Sequence, residues 1–262
     1  MWILSFLSKK KKKYVLVISW WGTRGFYGLW VLKWLEELGM KQDIKAVYAV
    51  SAWAIMVSYR TAGYSIDQIY DMFSHTKKFL NIYALNILSK QSLLKSSGLF
   101  EQFKKDLPKN ISQLSTKVYI WVTNTNTGKF IALSKGDLPT ILLWSMSIPW
   151  IFPAVSYQTQ VLMDGGVTNN FPVDIAKKKY SNDEIIGIAL NRFRENQKIS
   201  TVIDNLSVAF EILLRKNTVE NLPLVEHPFC INVPLKVLDT DKQKMKKAYE
   251  QGYKECMEHF KK

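Results

Sequence analysis

Histidine is nearly missing from this chain, with three in 262 residues: His75, His227 and His259. That scarcity weighs against imidazole-built metal centres and against a histidine-dependent triad, for which His227 is the one candidate member. Cysteine is equally sparse. Cys230 and Cys256 fit no metal or redox spacing, so two inert thiols in a reducing compartment are expected. No apolar run approaches the roughly 18 residues of a membrane span. The apolar start, Met1 to Leu7, is short and is followed by Lys9 to Lys13, the reverse of a secretory signal, so a cytoplasmic protein is expected.

Acidic residues are few: 22 against 36 Lys and Arg, a formal net charge of +14. Such a field either attracts polyanions or is simply a solvated lysine-rich surface. No aromatic RNP-like strand or zinc finger is visible, so nucleic acid is not an expected partner. If the charge has a partner, an anionic membrane surface fits better, with Phe6-Leu7 beside the lysines as a weak interfacial contact. Glycine is scarce as well, at 12, while tryptophan reaches 9.

At 47% apolar, the chain can bury one good core. Residues 1–13 read as a short apolar and basic tail, and residues 14–262 as a single domain. Strand and helix signals alternate, which predicts an α/β fold with a mostly parallel sheet. Tyr14 to Ser19 and Ile44 to Val50 are buried-strand runs. Helical spacing covers Phe26 to Leu38, stopped by Gly39, and Ala52 to Ala62, stopped by Gly63. Ser65-Ile-Asp-Gln68 has the form of a capping box. Thr76 to Leu107 is less regular and is expected to form a helical cap. Val118 to Thr123 and Lys129 to Leu133 flank a turn-rich pentapeptide and predict a hairpin. Ile185 to Leu190 and Phe229 to Val233 are later strands, and Asp239 to Phe260 a closing amphipathic helix.

Three pieces carry chemistry. Ser51 lies between a buried strand and a helix, in Ala49-Val50-Ser51-Ala52-Trp53, where a sharp turn exposes a hydroxyl. The segment Trp20-Trp21-Gly22-Thr23-Arg24-Gly25 follows a strand and opens a helix, where free backbone amides form an anion-binding concavity. Asp164-Gly165-Gly166 follows a short apolar run, as a strand end turning into a loop would. A glycine at position 20 would also create a dinucleotide fingerprint, but the next strand ends in Val50-Ser51 without the acid that reading needs.

In this order the three pieces resemble the patatin-like phospholipases, whose motifs are Gly-Gly-Gly-x-Arg-Gly, Gly-x-Ser-x-Gly and Asp-Gly-Gly or Asp-Gly-Ala. Trp144-Ser-Met-Ser-Ile-Pro-Trp-Ile-Phe-Pro153 is similar to the family's Ser-x-Ser-Ile-Pro-Gly-x-Phe-Pro, and Asn169-Asn-Phe-Pro172 to its Asn-x-Pro run. The resemblance runs from about Tyr14 to Tyr253. It implies a three-layer α/β/α fold and a serine acyl hydrolase using a Ser-Asp dyad without histidine. Ser51 would be the nucleophile, Asp164 its base, and the amides of residues 20–25 the oxyanion hole. A glycerolipid or phospholipid substrate is implied, with no metal or organic cofactor, and no acidic loop suited to calcium is present.

Trp20, Trp21, Trp30, Trp53 and Trp150 stand where that resemblance expects glycine. Drift does not repeatedly choose the largest side chain for the smallest. UGA codons meaning glycine in the cell, and read as tryptophan on translation of the gene sequence, would produce the pattern. If the tryptophans are genuine, Trp20, Trp21 and Trp53 would obstruct the loop and the elbow. The alternative function is then a catalytically inactive lipid-binding or regulatory homologue.

Overall fold

The computed structural model describes residues 12–19, 25–74, 96–157, 159–189 and 199–230, with seven scattered positions from Gln243 to Lys254. The elements, in order, are β1 (Tyr14–Ile18), α1 (Gly25–Glu37), β2 (Ile44–Ala49), α2 (Ala52–Thr61), α3 (Ile66–Ser74) and α4 (Ser97–Asp106). There follow β3 (Lys117–Asn124), β4 (Lys129–Leu133), α5 (Leu138–Ser145), β5 (Val155–Tyr157), β6 (Gln160–Asp164) and α6 (Val173–Lys179). β7 (Glu184–Ala189), α7 (Val202–Asn221) and β8 (His227–Cys230) complete the described elements.

The strands form one sheet in the order β5-β6-β3-β2-β1-β7-β8, with β4 also paired to β3. From β3 to β8 the pairings are parallel, and β4, β5 and β6 join antiparallel. The parallel strands are buried on both faces, which is why β1 reads Tyr-Val-Leu-Val-Ile rather than alternating with polar residues. Successive side chains of β2 show the layering. Val47, together with Leu16 of β1, faces Leu32 and Leu35 of α1 and Val57 of α2. Tyr48 points to the opposite face, stacking on Tyr119 of β3 at 4.5 Å and meeting Tyr180 edge-on just after α6. Helices therefore cover both faces, the three-layer α/β/α arrangement expected from the resemblance.

Local signals account for most boundaries. Gly39 (φ 71°) and Gly63 (φ 113°) take positive φ behind α1 and α2. Ser65 and Gln68 cap α3 reciprocally, the Gln68 amide donating to Ser65 Oγ at 3.1 Å and the Ser65 amide to Gln68 Oε1 at 2.8 Å. The β3–β4 hairpin forms as expected, and β8 begins two residues earlier than its apolar run. Of the expected cap, residues 75–95 lie outside the described residues, and α4 is the helical portion described. The expected closing helix lies outside them too, apart from the scattered positions. None of α5, α6, α7 and β5 is predicted from the sequence, although Thr201 and Asp204 form a capping box before α7 and Asp137 caps α5.

One turn is built against its residue. The Ile151 amide reaches back to both the Pro149 carbonyl (2.8 Å) and the Ile148 carbonyl (3.2 Å), with Pro149 and Trp150 at the two central positions of the wider turn. Proline second and a positive φ third (58° at Trp150) is the pattern of a type II turn, whose third position favours glycine. A left-handed conformation costs an ordinary residue about 1–2 kcal/mol. Trp150 packs edge-on to Phe210 at 5.3 Å, while its indole Nε1 is buried without a hydrogen-bond partner among the described residues. Trp150→Gly and Trp150→Ala both delete the indole, so the difference between them reports the backbone alone. The glycine variant is expected to be more stable than the alanine variant by about 1 kcal/mol in urea denaturation. Equal stabilities would mean that the turn is not held at positive φ.

Candidate active site

Ser51 occupies the junction between β2 and α2 with φ 56° and ψ −131°, a conformation that costs a residue other than glycine about 1–3 kcal/mol. The chain reverses so abruptly that Trp53 and Ala54 both donate their amides back to the Val50 carbonyl, at 3.0 and 3.3 Å. Ser51 is the N-cap residue of α2, yet its hydroxyl makes no capping hydrogen bond. A serine at this position ordinarily spends its oxygen on the helix amides. Here the hydroxyl is free for another partner, at the positive end of the α2 dipole.

That partner is Asp164, the last residue of β6, whose carboxyl is fully buried. Oδ1 accepts the Gly166 amide at 2.8 Å. Oδ2 has no hydrogen bond of good geometry among the described residues, and the Ser51 hydroxyl is the side-chain group that draws the carboxyl pKa down. Burial works more strongly in the other direction. With no compensating cation among the described residues, desolvation raises the pKa to about 7, against the opposing pull of Ser51 and the Gly166 amide.

The two residues meet over β3. Ala49, two residues before Ser51, pairs with Ile120, and Asp164 pairs with Val122. The end of β2 and the end of β6 are therefore set two residues apart along β3, roughly 7 Å of strand. Trp121 lies between those levels. Its carbonyl accepts the Ser145 hydroxyl at 3.0 Å, and the Ser145 oxygen accepts the Ser51 amide at 2.9 Å. Ser147, two residues on, accepts the Asp164 amide on its carbonyl at 3.0 Å. A Cβ on Gly165 would fall 2.5 Å from the Trp121 carbonyl oxygen and 2.1 Å from its ring Cδ1, so only glycine fits there. On Gly166 a Cβ would stand 3.1 Å from Asp164 Oδ1 and 3.2 Å from Leu214 of α7.

The sequence thus brings Ala49, Val50, Ser51, Ala52 and Trp53 into one elbow, with Asp164, Gly165 and Gly166 beside it. Trp20, Trp21, Gly22, Thr23 and Arg24 lie outside the described residues, as do His75 and His259. Gly25 begins α1, where a Cβ would meet the Met56 side chain at 3.1 Å. The elbow forms with Trp53 in place. Its ring is completely buried against α1, where a Cβ on Gly28 would lie 1.9 Å from it, and its Nε1 has no hydrogen-bond partner among the described residues. Trp30, midway along α1, lies under the Lys33 ammonium at 4.9 Å, and its helical backbone makes no demand for glycine.

His227 pairs with Glu184 at 2.8 Å, at the end of the parallel sheet opposite Ser51, and takes no part in the site. Ser145 and the Trp121 carbonyl were not anticipated as parts of the site, although the Ser-x-Ser motif was visible. Among the described residues, no group of three or more His, Cys, Asp or Glu is placed to hold a metal.

The raised Asp164 pKa has a thermodynamic consequence. In the unfolded chain this carboxyl ionises near 4, but in the fold only near 7. The stability of its neutral form is fully present below pH 4 and is lost as pH rises to 7, by about 1.4 kcal/mol per unit. Asp164→Asn does not titrate. Across urea denaturation from pH 4 to 8, it should gain on the wild type as pH rises, by up to roughly 4 kcal/mol. A constant difference would mean that the carboxyl titrates normally.

The patatin-like phospholipase family profile matches residues 22–177, which include both Ser51 and Asp164. An uncharacterised protein of Acanthamoeba polyphaga mimivirus is 28% identical over 200 residues, covering 66% of this chain and 64% of that protein. A probable lipid hydrolase of invertebrate iridescent virus 6 is 26% identical over 216 residues, covering 70% of this chain and 72% of the relative. The crystal structure of VipD from Legionella pneumophila shares the fold with a TM-score of 0.58 at 14% identity, covering 95% of this chain and 66% of that one. The chain therefore spans slightly less than two thirds of the length of the mimivirus protein and of VipD. With a family profile over more than half of its residues, this chain belongs to the patatin-like phospholipases.

Proposed function

We propose that the protein is a serine-dependent lipid acyl hydrolase of the phospholipase or esterase type, working through a Ser51–Asp164 dyad. The observation that carries this reading is the strained Ser51, uncommitted as a helix cap, beside a buried carboxyl whose pKa is raised to about 7. A base with that pKa is about half ionised at neutral pH while remaining strong enough to accept a hydroxyl proton. Ser51 Oγ attacks the ester carbonyl carbon as its proton passes to Asp164. The amides of residues 20–25 hold the resulting oxyanion. Collapse breaks the ester C–O bond, and Asp164 returns the proton to the leaving alcohol. Water, deprotonated by the same carboxylate, then attacks the acyl carbon; the bond to Ser51 Oγ breaks, Asp164 returns the proton to that oxygen, and the fatty acid leaves. Glycerolipid or phospholipid is the substrate class, and Asp164 replaces histidine as general base.

The inactive-homologue alternative rests on Trp20, Trp21 and Trp53; the first two lie outside the described residues, and the elbow forms with the Trp53 ring turned into the α1–α2 contact. Labelling by a fluorophosphonate serine probe tests the choice. Wild type should be labelled, Ser51→Ala not at all, and Asp164→Asn more slowly by about 10²–10⁴-fold. An unlabelled, folded wild type would favour the lipid-binding alternative.

We also propose that the protein works at an anionic membrane surface. α7 is apolar on both sides. Phe210 and Leu214 face the core, while Val202, Leu206, Ala209 and Leu213 form an exposed stripe, with Ile212 beside it. A helix apolar all round normally has both faces covered. This one also packs on the Asp164 loop through Leu214, so a bilayer meeting the stripe would lie near the site. The net charge of +14 complements anionic headgroups. Among the described residues no helix is long and apolar enough to cross a membrane. Sedimentation with phosphatidylserine-containing vesicles should show binding that weakens with salt. It should weaken further in the double variant Leu206→Ser, Leu213→Ser, while hydrolysis of a soluble short-chain ester is retained. Binding unchanged in that variant would remove α7 from the interface.

A further inference from the structure

A serine buried at the end of α5 has no role in the proton transfer just described, yet it ties the backbone of Ser51 to β3, the strand on which the ends of β2 and β6 are both paired. Ser145 is completely buried. Its oxygen accepts the amide of Ser51, and its hydroxyl donates to the carbonyl of Trp121, between the β3 residues that pair with the β2 and β6 ends. Two residues further on, the Ser147 carbonyl takes the amide of Asp164 (3.0 Å), and the Ser147 hydroxyl is returned to Leu143 of α5 at 2.8 Å. One short stretch of chain therefore grips the nucleophile by its backbone and the carboxylate by its backbone, with the middle of β3 as the common anchor.

We propose that Ser145 is the positioning residue of the Ser51–Asp164 pair, with its hydroxyl bridging the Ser51 amide to the Trp121 carbonyl and fixing the elbow against the carboxyl. This rests on the dyad reading above. The physical need is plain. Positive φ at Ser51 is unfavourable for a residue with a side chain, and the elbow persists only where its surroundings over-determine it. The Ser51 amide is part of that strained residue and cannot join the α2 ladder, so it needs a partner from outside the helix. Ser145 supplies one while satisfying its own proton on β3. Alanine at 145 would remove the partner of the buried Ser51 amide and cut its link to β3, and the elbow would turn to recover a partner. Asp164 would keep its place, because its backbone contact is to the Ser147 carbonyl, which no side-chain substitution removes.

Three variants, assayed with a fluorophosphonate probe and with a soluble short-chain ester, test this. Ser145→Ala should lower kcat and the labelling rate on the order of 10²-fold, with KM unchanged, because the loss is of alignment and not of binding. Ser147→Ala removes only the bond to Leu143 and should lose much less. Ser58→Ala deletes another fully buried serine hydroxyl, one with no hydrogen-bond partner among the described residues, and should leave kcat unchanged. Rates are divided by the folded fraction from circular dichroism at the assay temperature, which separates misplacement from unfolding. Ser145→Ala with wild-type kcat per folded molecule would overturn the positioning role and leave the dyad standing. A folded wild type that is not labelled, and that matches Ser51→Ala, would overturn both.

Discussion

A carboxyl group buried with no cation beside it among the described residues sets the terms for the rest of this site. Asp164 is fully buried, and among the described residues its stabilising contacts are the Gly166 amide and the Ser51 hydroxyl. Burial in low dielectric penalises the charged form, and two neutral donors offset that penalty only in part. The result is a carboxylate whose proton affinity falls in the range that an imidazole has in water. Under the dyad reading proposed above, this gives a physical reason why the site would need no histidine: the fold tunes an aspartate to the pKa for which histidine is usually chosen. A lysine or arginine placed beside the group would stabilise the fold but would weaken the base.

Such tuning depends on distance, and β3 is where the distance is kept. Its first half pairs with β2 and its second half with β6, so nucleophile and carboxylate are referred to one strand. The glycines after Asp164 follow from the same geometry. Gly165 passes so close to Trp121 that a methyl group would overlap the carbonyl that anchors Ser145. The glycine therefore protects the bridge as well as the turn, and Asp-Gly-Gly becomes a steric requirement of this sheet instead of a bare signature. α7 closes the assembly from outside, with Leu214 against Gly166 and Thr218 bonded to Asn170.

Much of this was legible in the sequence because it is local. The strand runs before Ser51, the glycine stops at Gly39 and Gly63, and the capping box at Ser65 all depend on neighbours within a few residues. Ser51 and Asp164 were legible for a different reason: their motifs constrain the backbone, and sharp turns leave compositional traces. Ser145 left none of its own. Its partners are 94 and 24 residues away, and nothing in a serine after an apolar helix announces which distant amide it will accept. α7 was overlooked although Thr201 and Asp204 cap it, because its apolar residues lie on two faces and blur the periodicity that marks an amphipathic helix.

The tryptophans divide once the backbone is known. At 150 the chain adopts the positive φ of a turn that favours glycine, behind a proline in the position such turns prefer. At 53 the backbone is helical, and the ring occupies a gap that exists only because residue 28 has no side chain. Glycine at both positions would let α1 and α2 approach more closely, whereas tryptophan at 53 requires glycine at 28. At 30 neither constraint applies. A misread codon takes no account of local structure, so it would place tryptophan equally where the fold demands glycine and where it does not. Selection for tryptophan would avoid the left-handed position first. Occupancy of position 150 therefore distinguishes the two causes better than the count of tryptophans does, and it favours a glycine there in the cell.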